Sequence, residues 1–520
     1  MSCEDQVPPE LASLQQVIGA RVAFPTIPLL GSFIARNDIP ADTCDAPTEV
    51  AADLQLFRRL DSMPSRQLRL LLLRISVTRS YLHRLRTSPP SQTGVMASRV
   101  DGHIARSLAL LVDESSPLSD LTLQEALLPT VKGGLGLPCL SDIRAAAHIA
   151  SVLTTVQQWR RHVADLDPLL ASWAQAPSLA ALLTDFQPTI QAASEQLHRE
   201  LVFPATPQAA ITFSAIHKLQ QALTGYVDLN TVTALKQQHV TNLVRAQYLS
   251  KTSRGACAFL NACPTDAGLN ISNADLAIAL RMWMRLPLLP LFEAPGDLTC
   301  FCQDHTLLTE EHILNCNGFA ARDVRHDTIT LCFQEMLQAA VHRPVLLEPR
   351  ASTQASVHHR FDLSVAAFDA QSRNLKLDIT VRNPQAKSMV VRASAASLVA
   401  ATEGVNDKLR AYSPFLVPSD WFMPLALESF GGLHHNIFTL LSICAHRVGN
   451  VPPDSASFLA PSFSTYWLQR ISCTLMRENA RLVSVIVSGC LRNCGVLRDD
   501  APVTLLPGGL LAAAEPGQAL

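Results

Sequence analysis

Residues 359–384 read HRFDLSVAAFDAQSRNLKLDITVRNP, and this stretch decides the fold of the last third of the chain. Apolar and polar residues alternate on both sides of the turn DAQSRN (369–374), which predicts two β-strands joined as a hairpin. In the second strand Lys376, Asp378 and Thr380 share one face, and the apolar residues between them pack on the other. A polar stripe that ends in an acid is what a metal site on a strand requires.

Helical patterns surround this hairpin. Apolar residues recur at helical spacing in 325–341, and further helices are expected at about 396–411 and 464–488. The segment 45–290 is dominated by helical periodicity, whereas short apolar runs before residue 40 predict strands or a strand pair with a glycine turn. The sequence therefore predicts a mostly α N-terminal two-thirds followed by an α/β region.

A cysteine-rich stretch, CFCQDHTLLTEEHILNC, lies between these two regions. It spaces Cys300, Cys302, His312 and Cys316 so that two sulfurs lie on a turn and the other two ligands lie one helical turn apart. This order predicts a tetrahedral Cys₃His zinc site. Because all four positions are protein ligands, no position is left for a catalytic water, and the zinc would be structural. His305 is a possible substitute ligand, and a set of buried thiols without metal is the alternative.

Positive charge is concentrated in residues 55–106, which hold ten arginines against Asp61 and Asp101, a local net charge of +8. Arginine presents a planar fork to phosphate, so this cluster predicts contact with nucleic acid; a solvated helical face is the alternative. The candidate nucleic-acid-binding residues are Arg66, Arg69, Arg74, Arg79, Arg84 and Arg86.

Composition excludes several other classes of protein. The whole chain has a formal charge of −2, its N-terminal residues lack the pattern of a secretory signal, and no apolar run is long enough to span a bilayer. The thirteen irregularly spaced cysteines indicate a reducing compartment rather than a disulfide framework. We therefore expect an intracellular protein with no membrane partner, and nothing indicates a small-molecule substrate.

The order of motifs resembles the C-terminal part of non-LTR retrotransposon polyproteins that carry a restriction-like endonuclease. LLGSFIARND (29–38) is similar to the end of a reverse-transcriptase palm, and QLRLLLLRISVTRSYLHR (67–84) to its arginine-rich thumb helices. QEALLPTVKGGLGLPCLSDIRAAAHIAS (124–151) is similar to the segment after the thumb, and the cysteine cluster to the family's zinc knuckle. The resemblance covers most of residues 25–490.

This resemblance implies six regions along the chain. They are an end-of-palm remnant (1–45), a thumb-like helical domain (46–140), a helical linker domain (141–290), the zinc knuckle (291–320), a restriction-like endonuclease domain of the PD-(D/E)XK type (321–490) and a loose C-terminal tail (491–520).

The same resemblance assigns the nuclease residues. Asp362 and Asp378 match the two carboxylates that hold Mg²⁺, and the antiparallel hairpin brings them together across strands roughly 5 Å apart. The lysine of the general Asp/Glu-x-Lys pattern is absent, and Lys408, with Tyr412 beside it, matches the helix-borne lysine of the retroelement branch. Glu348 is a candidate third acid.

Three further features bear on this resemblance. The triplet Arg325, His326 and Asp327 matches another family motif, for which we expect hydrogen bonds across the helix and the knuckle rather than chemistry. Phe361 stands where the family has proline before the first acid. No aromatic-x-Asp-Asp turn precedes residue 45, so we expect no polymerase activity.

Three functions are consistent with these residues. The first is a Mg²⁺-dependent DNA endonuclease that nicks a target strand. Its partners would be target DNA, element RNA or both, and its location would be the nucleus. The second is a catalytically inactive, nucleic-acid-binding remnant of a reverse transcriptase. The third is a helical scaffold with a structural zinc.

Overall fold

The structure, a computed structural model, describes residues 26–29, 32–35, 47–162, 177–206, 209–210, 213, 218–302, 306–350 and 360–497. The helices are α1 Pro47–Asp61, α2 Arg66–Leu72, α3 Thr78–Thr87, α4 Pro90–Leu111, α5 Asp120–Ala126, α6 Leu140–His162, α7 Pro177–Leu197, α8 Leu219–Gln238, α9 Asn242–Lys251, α10 Asn273–Met284, α11 Glu310–Asn315, α12 Ala321–Ala340, α13 Val390–Ala393, α14 Val399–Tyr412, α15 His435–Arg447 and α16 Phe463–Asn493. The strands are β1 Thr26–Leu29, β2 Ser32–Ala35, β3 Val345–Leu347, β4 Leu363–Val365, β5 Asn374–Arg382 and β6 Asp420–Glu428. The described chain is mostly helical, with a small four-stranded mixed sheet.

The chain forms two compact units, each drawn from three separate stretches. One comprises Met1–Arg59, Ile75–Ile104 and Pro138–Thr231, and the other comprises Leu60–Arg74, Ala105–Leu137 and Val232–Leu520. The six regions that the sequence predicts stay predictions.

The first unit has a helical core. Buried side chains of α6, α7 and α8 pack together, among them Ile149, Leu183, Phe186 and Leu223. Asp101 accepts hydrogen bonds from the backbone N–H groups at the start of α6, which satisfies donors that the helix itself leaves unpaired.

A short hairpin precedes these helices. β1 and β2 pair antiparallel with Thr26 opposite Ala35 and Leu29 opposite Ser32. Only two residues separate the strands, which is the commonest length of a hairpin connection. The predicted strand pair is therefore present in β1 and β2, whereas the two residues between these strands and the run at residues 16–24 lie outside the described residues.

The sheet lies in the second unit, with strand order β3-β4-β5-β6. β3, β4 and β5 are antiparallel, whereas β5 and β6 are parallel and are connected through α13 and α14. The hairpin predicted from residues 359–384 is present as β4 and β5. β3 and β6 have no counterpart among the strands predicted from the sequence.

The missed strand β6 contains Pro424, which lies opposite Asp378. Proline is normally excluded from a strand because it cannot donate a backbone hydrogen bond, but an edge strand tolerates it on its outward side. β6 is the last strand of the sheet, so the proline is compatible with pairing.

The 31-residue helix α16 is buried along most of its length and organises the second unit. It packs against α12, α10 and the cysteine-rich segment. The buried Arg325 of α12 donates from Nη1 to Asn479 Oδ1 of α16 at 2.9 Å. The helices predicted at 325–341, 396–411 and 464–488 correspond to α12, α14 and α16, with ends that differ by a few residues.

Candidate functional site

The cysteine-rich segment begins with two extended stretches that pair through an antiparallel bridge between Thr299 and Leu307, and one helix follows. Cys300 N donates to Thr306 O and Leu308 N to Leu298 O, both at 2.8 Å. These bonds hold the first two cysteines on an extended arm. The helix α11 then begins after Thr309, whose hydroxyl accepts from the backbone N–H of His312 at 3.2 Å.

This folding brings all four predicted zinc ligands together. The ligand atoms of Cys300, Cys302, His312 and Cys316 all lie within 4.8 Å of one another. The Cys300 and Cys316 sulfurs are 3.5 Å apart, and Cys302 Sγ lies 3.3 Å from His312 Nε2. A Zn–S bond of about 2.3 Å gives tetrahedral edges of roughly 3.5–3.8 Å, so the group can hold a metal such as zinc.

Outer contacts orient these ligands. His312 Nδ1 lies 3.3 Å from the Thr306 hydroxyl, which leaves Nε2 for the metal. The backbone N–H of Gly318 donates to Cys316 Sγ at 3.2 Å. Leu298, Leu308 and Ile313 anchor the segment on buried side chains of α16. The alternative ligand His305 lies outside the described residues.

The second candidate site is a row of carboxylates across the sheet. Leu347 lies opposite Leu363, which lies opposite Leu377. One residue further along, Glu348 N donates to Asp362 O and Asp362 N donates to Leu377 O, both at 3.0 Å. Continuing this register places Glu348, Asp362 and Asp378 side by side at one level of three adjacent strands.

Asp378 is the buried member of the row, with 1% of its side chain exposed. Lys408 Nζ of α14 lies 2.5 Å from its Oδ1. Burial raises the pKa of Asp378, the neighbouring Asp362 raises it further, and Lys408 opposes both. Oδ1 is buried, and Lys408 is its charged partner among the described residues.

The predicted neighbour Tyr412 closes the side of this site. Its hydroxyl donates to the backbone carbonyl of Arg360 and lies within hydrogen-bonding reach of Asp378. Burial raises the pKa of Tyr412, so its hydroxyl stays protonated at neutral pH. Its ring stacks on Phe361 with centroids 4.8 Å apart, which gives the residue in the family's proline position a packing role.

Asp362 is held by two donors on one oxygen. Its Oδ2 accepts from Ile379 N at 2.5 Å and lies 3.2 Å from His326 Nε2. The hydrogen bond to Asp362 raises the pKa of His326 to about 9, against the lowering effect of burial. The other ring nitrogen lies 3.2 Å from a carboxylate oxygen of Asp327.

The triplet at 325–327 therefore differs from its predicted role. Arg325 bonds to α16 rather than to the knuckle, and His326 joins the carboxylate site on β4 and β5. The sequence placed His326 in a structural motif but did not predict its contact with Asp362, because 36 positions separate the two residues. The one feature of the sequence that pointed to His326 was the family motif formed by residues 325–327.

The backbone of Glu348 lies in register with Asp362, but its carboxylate does not lie beside the two aspartates. Its backbone is left-handed, with φ of +47°, and its side chain is 67% exposed. The carboxylate pairs with Arg360 Nη1 at 3.0 Å instead of turning towards the two aspartates. The structure does not bring the candidate third acid to the other two.

The six candidate arginines fall into two groups. In the second unit Arg66 binds both oxygens of Asp113 at 2.5 and 2.6 Å, Arg69 donates to Met63 O at 3.0 Å, and Arg74 bonds to Leu260 O and Asn261. Guanidinium groups used in this way hold the protein's own chain together.

The other three candidate arginines lie on α3 in the first unit. Arg79 and Arg86 are exposed on either side of the exposed His83, and Arg84 is half-buried. Arg86 Nε donates to Gln220 Oε1 at 2.5 Å in this exposed position. Positions 79, 83 and 86 are four and three residues apart, so they share one helix face. α3 contains no acidic residue, and this face is therefore the better candidate for phosphate contact.

A comparison with known protein families found no family model that matches this chain, and no curated protein is significantly similar to it. None of the helices in the described ranges combines the length and the apolar character needed to cross a bilayer. A functional assignment must therefore rest on the chemistry of the two sites.

Proposed function

We propose that this chain is a retrotransposon-derived, nucleic-acid-binding protein with a Mg²⁺-dependent DNA endonuclease domain of the restriction-like type. The observation that carries the proposal is the convergence of Asp362 and Asp378 across β4 and β5, with the Lys408 ammonium beside Asp378. Two carboxylates and a cation are the groups that metal-assisted phosphodiester hydrolysis needs.

The donor set suits a hard divalent cation. Asp362 and Asp378 supply carboxylate oxygens, and a cation at Oδ1 of Asp378 would take the place that the Lys408 ammonium occupies in this structure. Mg²⁺ is commonly held by one or two carboxylates and keeps several waters. When bound, the ion would lower the pKa of a coordinated water and polarise the scissile phosphate.

The chain's own residues have separate roles in this proposal. Lys408 would place positive charge where the attacking water and the phosphate meet. The buried surroundings of Asp378 would strengthen the electrostatic attraction between that charge and the phosphate. Tyr412 stays neutral and packs α14 against β4, which fixes the position of Lys408 one turn earlier. The structural zinc holds the knuckle as a rigid arm on α16.

The exposed face of α3 supports nucleic acid as the partner, either target DNA or element RNA. The location that goes with such a partner is the nucleus.

A catalytically inactive remnant is the second candidate, and two observations favour it. The Lys408 ammonium lies directly on the Asp378 oxygen that a metal would need, and the Glu348 carboxylate faces solvent. In this alternative the sheet and the zinc site persist as a nucleic-acid-binding platform. A helical scaffold with a structural zinc and no nucleic-acid partner would not require the cation-bearing face of α3.

The test is nicking of supercoiled plasmid by the full chain in Mg²⁺, with Asp378→Asn as the variant. We expect Asp378→Asn to lower the nicking rate at least about 100-fold, the usual effect of removing a group that stabilises the transition state. Asp369→Asn, in the turn of the same hairpin, is the matched control and should nick normally. A wild-type protein that binds DNA without nicking it would favour the inactive remnant.

A further inference from the structure

We infer that His326 is a positioning residue that orients Asp362 for metal binding, an inference that rests on the proposed nuclease function. His326 lies on α12, outside the sheet that carries the two aspartates. Its Nε2 is 3.2 Å from Asp362 Oδ2 and also 3.2 Å from the backbone carbonyl of Ile379.

The two partners of His326 Nε2 determine whether this nitrogen donates or accepts a hydrogen bond. A carboxylate oxygen and a carbonyl oxygen are both acceptors, so Nε2 must carry the proton and donate. The backbone N–H of Ile379 donates to the same Oδ2 of Asp362 at 2.5 Å. Both backbone polar groups of Ile379 therefore belong to the arrangement that holds Asp362.

This arrangement determines which Asp362 oxygen faces a metal. Oδ2 receives donors from β5 and from α12, and the side-chain hydrogen bonds of Asp362 to other described residues go to that oxygen. The carboxylate is thereby fixed in rotation, and Oδ1 is the oxygen left to face the space beside Asp378. Hydrogen-bond partners that orient a ligating carboxylate are worth about 10–100-fold in metal affinity.

The second ring nitrogen of His326 contacts a carboxylate at the protein surface. Nδ1 lies 3.2 Å from Oδ1 of Asp327, whose side chain is largely exposed. The neighbouring Arg325 points the other way and bonds to Asn479 of α16, which holds this turn of α12 in place. His326 therefore connects a rigid helix to the candidate metal ligand.

The experiment measures Mn²⁺ binding, as a stand-in for Mg²⁺, by water-proton relaxation on the zinc-loaded full chain. His326→Ala removes the donor. His326→Gln replaces Nε2 with an amide N–H, whereas His326→Asn reaches only the position of Nδ1. Thr328→Ala, which deletes a hydroxyl bonded to its own helix at Val324 O, is the control.

We expect Mn²⁺ affinity to fall about 10–100-fold in His326→Ala and His326→Asn and to recover in His326→Gln. The Mg²⁺ concentration for half-maximal nicking should shift in the same order. Wild-type Mn²⁺ affinity in His326→Ala, or equal losses in all three variants together with a lower melting temperature, would overturn the positioning role.

The two proposals fail in different ways. Mn²⁺ binding that Asp378→Asn abolishes and His326→Ala weakens, in a wild-type protein that does not nick, would reject the nuclease and keep the positioning role. Wild-type protein that binds no Mn²⁺ would reject both.

Discussion

Glu428, the last residue of β6, is a carboxylate almost wholly removed from water, with 1% of the residue exposed. Its Oε1 accepts from the backbone N–H of Ala401 at 3.2 Å, in the first turn of α14. The second oxygen is buried and accepts no hydrogen bond of good geometry within the described residues. Burial therefore raises the pKa of Glu428. This acid serves as a cap for the helix that carries Lys408, at a cost in desolvation.

The raised pKa predicts how stability depends on pH. The folded state holds the Glu428 proton to higher pH than the unfolded state does, so this group's contribution falls as pH rises above the unfolded value of about 4.3. Glu428→Gln keeps an acceptor for Ala401 and has no charge to bury. We expect Glu428→Gln to stabilise the protein on the order of 1 kcal/mol at pH 7.5 and to change little at pH 4.

Denaturant unfolding at the two pH values measures this difference. Glu403→Gln is the control, because Glu403 lies on the same helix in a partly exposed pair with Arg392 and should shift stability by about 0.5 kcal/mol or less. A variant of Glu428 that is less stable than wild type at pH 7.5 would show that the charged form is the one that the fold requires.

At the scale of elements, the six-residue helix α11 is too short to be stable by itself. Its N-cap, its packing on α16 and the four ligand atoms must act together. The described residues of the segment, 298–302 and 306–318, form few other hydrogen-bonded elements, so a metal would contribute much of the local stability. The knuckle therefore depends on its ligands more than the neighbouring helices do.

We expect the purified protein to contain about one zinc per chain and Cys316→Ser to lose it. Removal of zinc should raise amide hydrogen exchange in residues 298–318, while β5 and the centre of α16 stay protected. Metal analysis and exchange mass spectrometry measure the two effects. Cys444→Ser, which alters a buried thiol of α15 outside the cluster, is the control and should keep its zinc. Full zinc content in Cys316→Ser would contradict the site.

At the scale of the whole molecule, charge is distributed unevenly. The chain has a net charge of −2, yet ten of its arginines lie between residues 55 and 106. The structure divides the six candidate arginines equally between the two units. Those of the second unit are held by partners within the protein, whereas Arg79 and Arg86 of α3 are exposed and Arg86 makes one exposed hydrogen bond, to Gln220. The electrostatic attraction for nucleic acid should therefore be carried by α3 rather than by the whole cluster.

This distribution predicts the salt dependence of binding. Arg79→Gln combined with Arg86→Gln should weaken binding to duplex DNA of any sequence and lower the slope of log affinity against log salt by about 2, since each phosphate contact contributes about 0.9. The melting temperature should fall only slightly, because the double variant loses one exposed hydrogen bond, from Arg86 to Gln220. Arg74→Gln should instead lower stability and leave the slope unchanged. An unaltered slope in the double variant would exclude α3 as the phosphate-binding face.

Local patterns in the sequence determined part of this protein. The two-residue alternation of 359–384 was sufficient to predict β4 and β5 and the pairing of Asp362 with Asp378, because strand faces and hairpin register follow from nearest neighbours. The spacing of Cys300, Cys302, His312 and Cys316 predicted their convergence for the same reason: a turn and one helical turn fix it.

Only the tertiary structure decided the rest. β6 became a strand despite Pro424 because it lies at the sheet edge, and Glu348 turned outward because its backbone is left-handed. His326 reached Asp362 through the packing of α12, and Arg66 and Arg74 turned inward through partners far along the chain. These outcomes depend on contacts between residues distant in sequence, and no local period encodes which side chains such contacts will bring together.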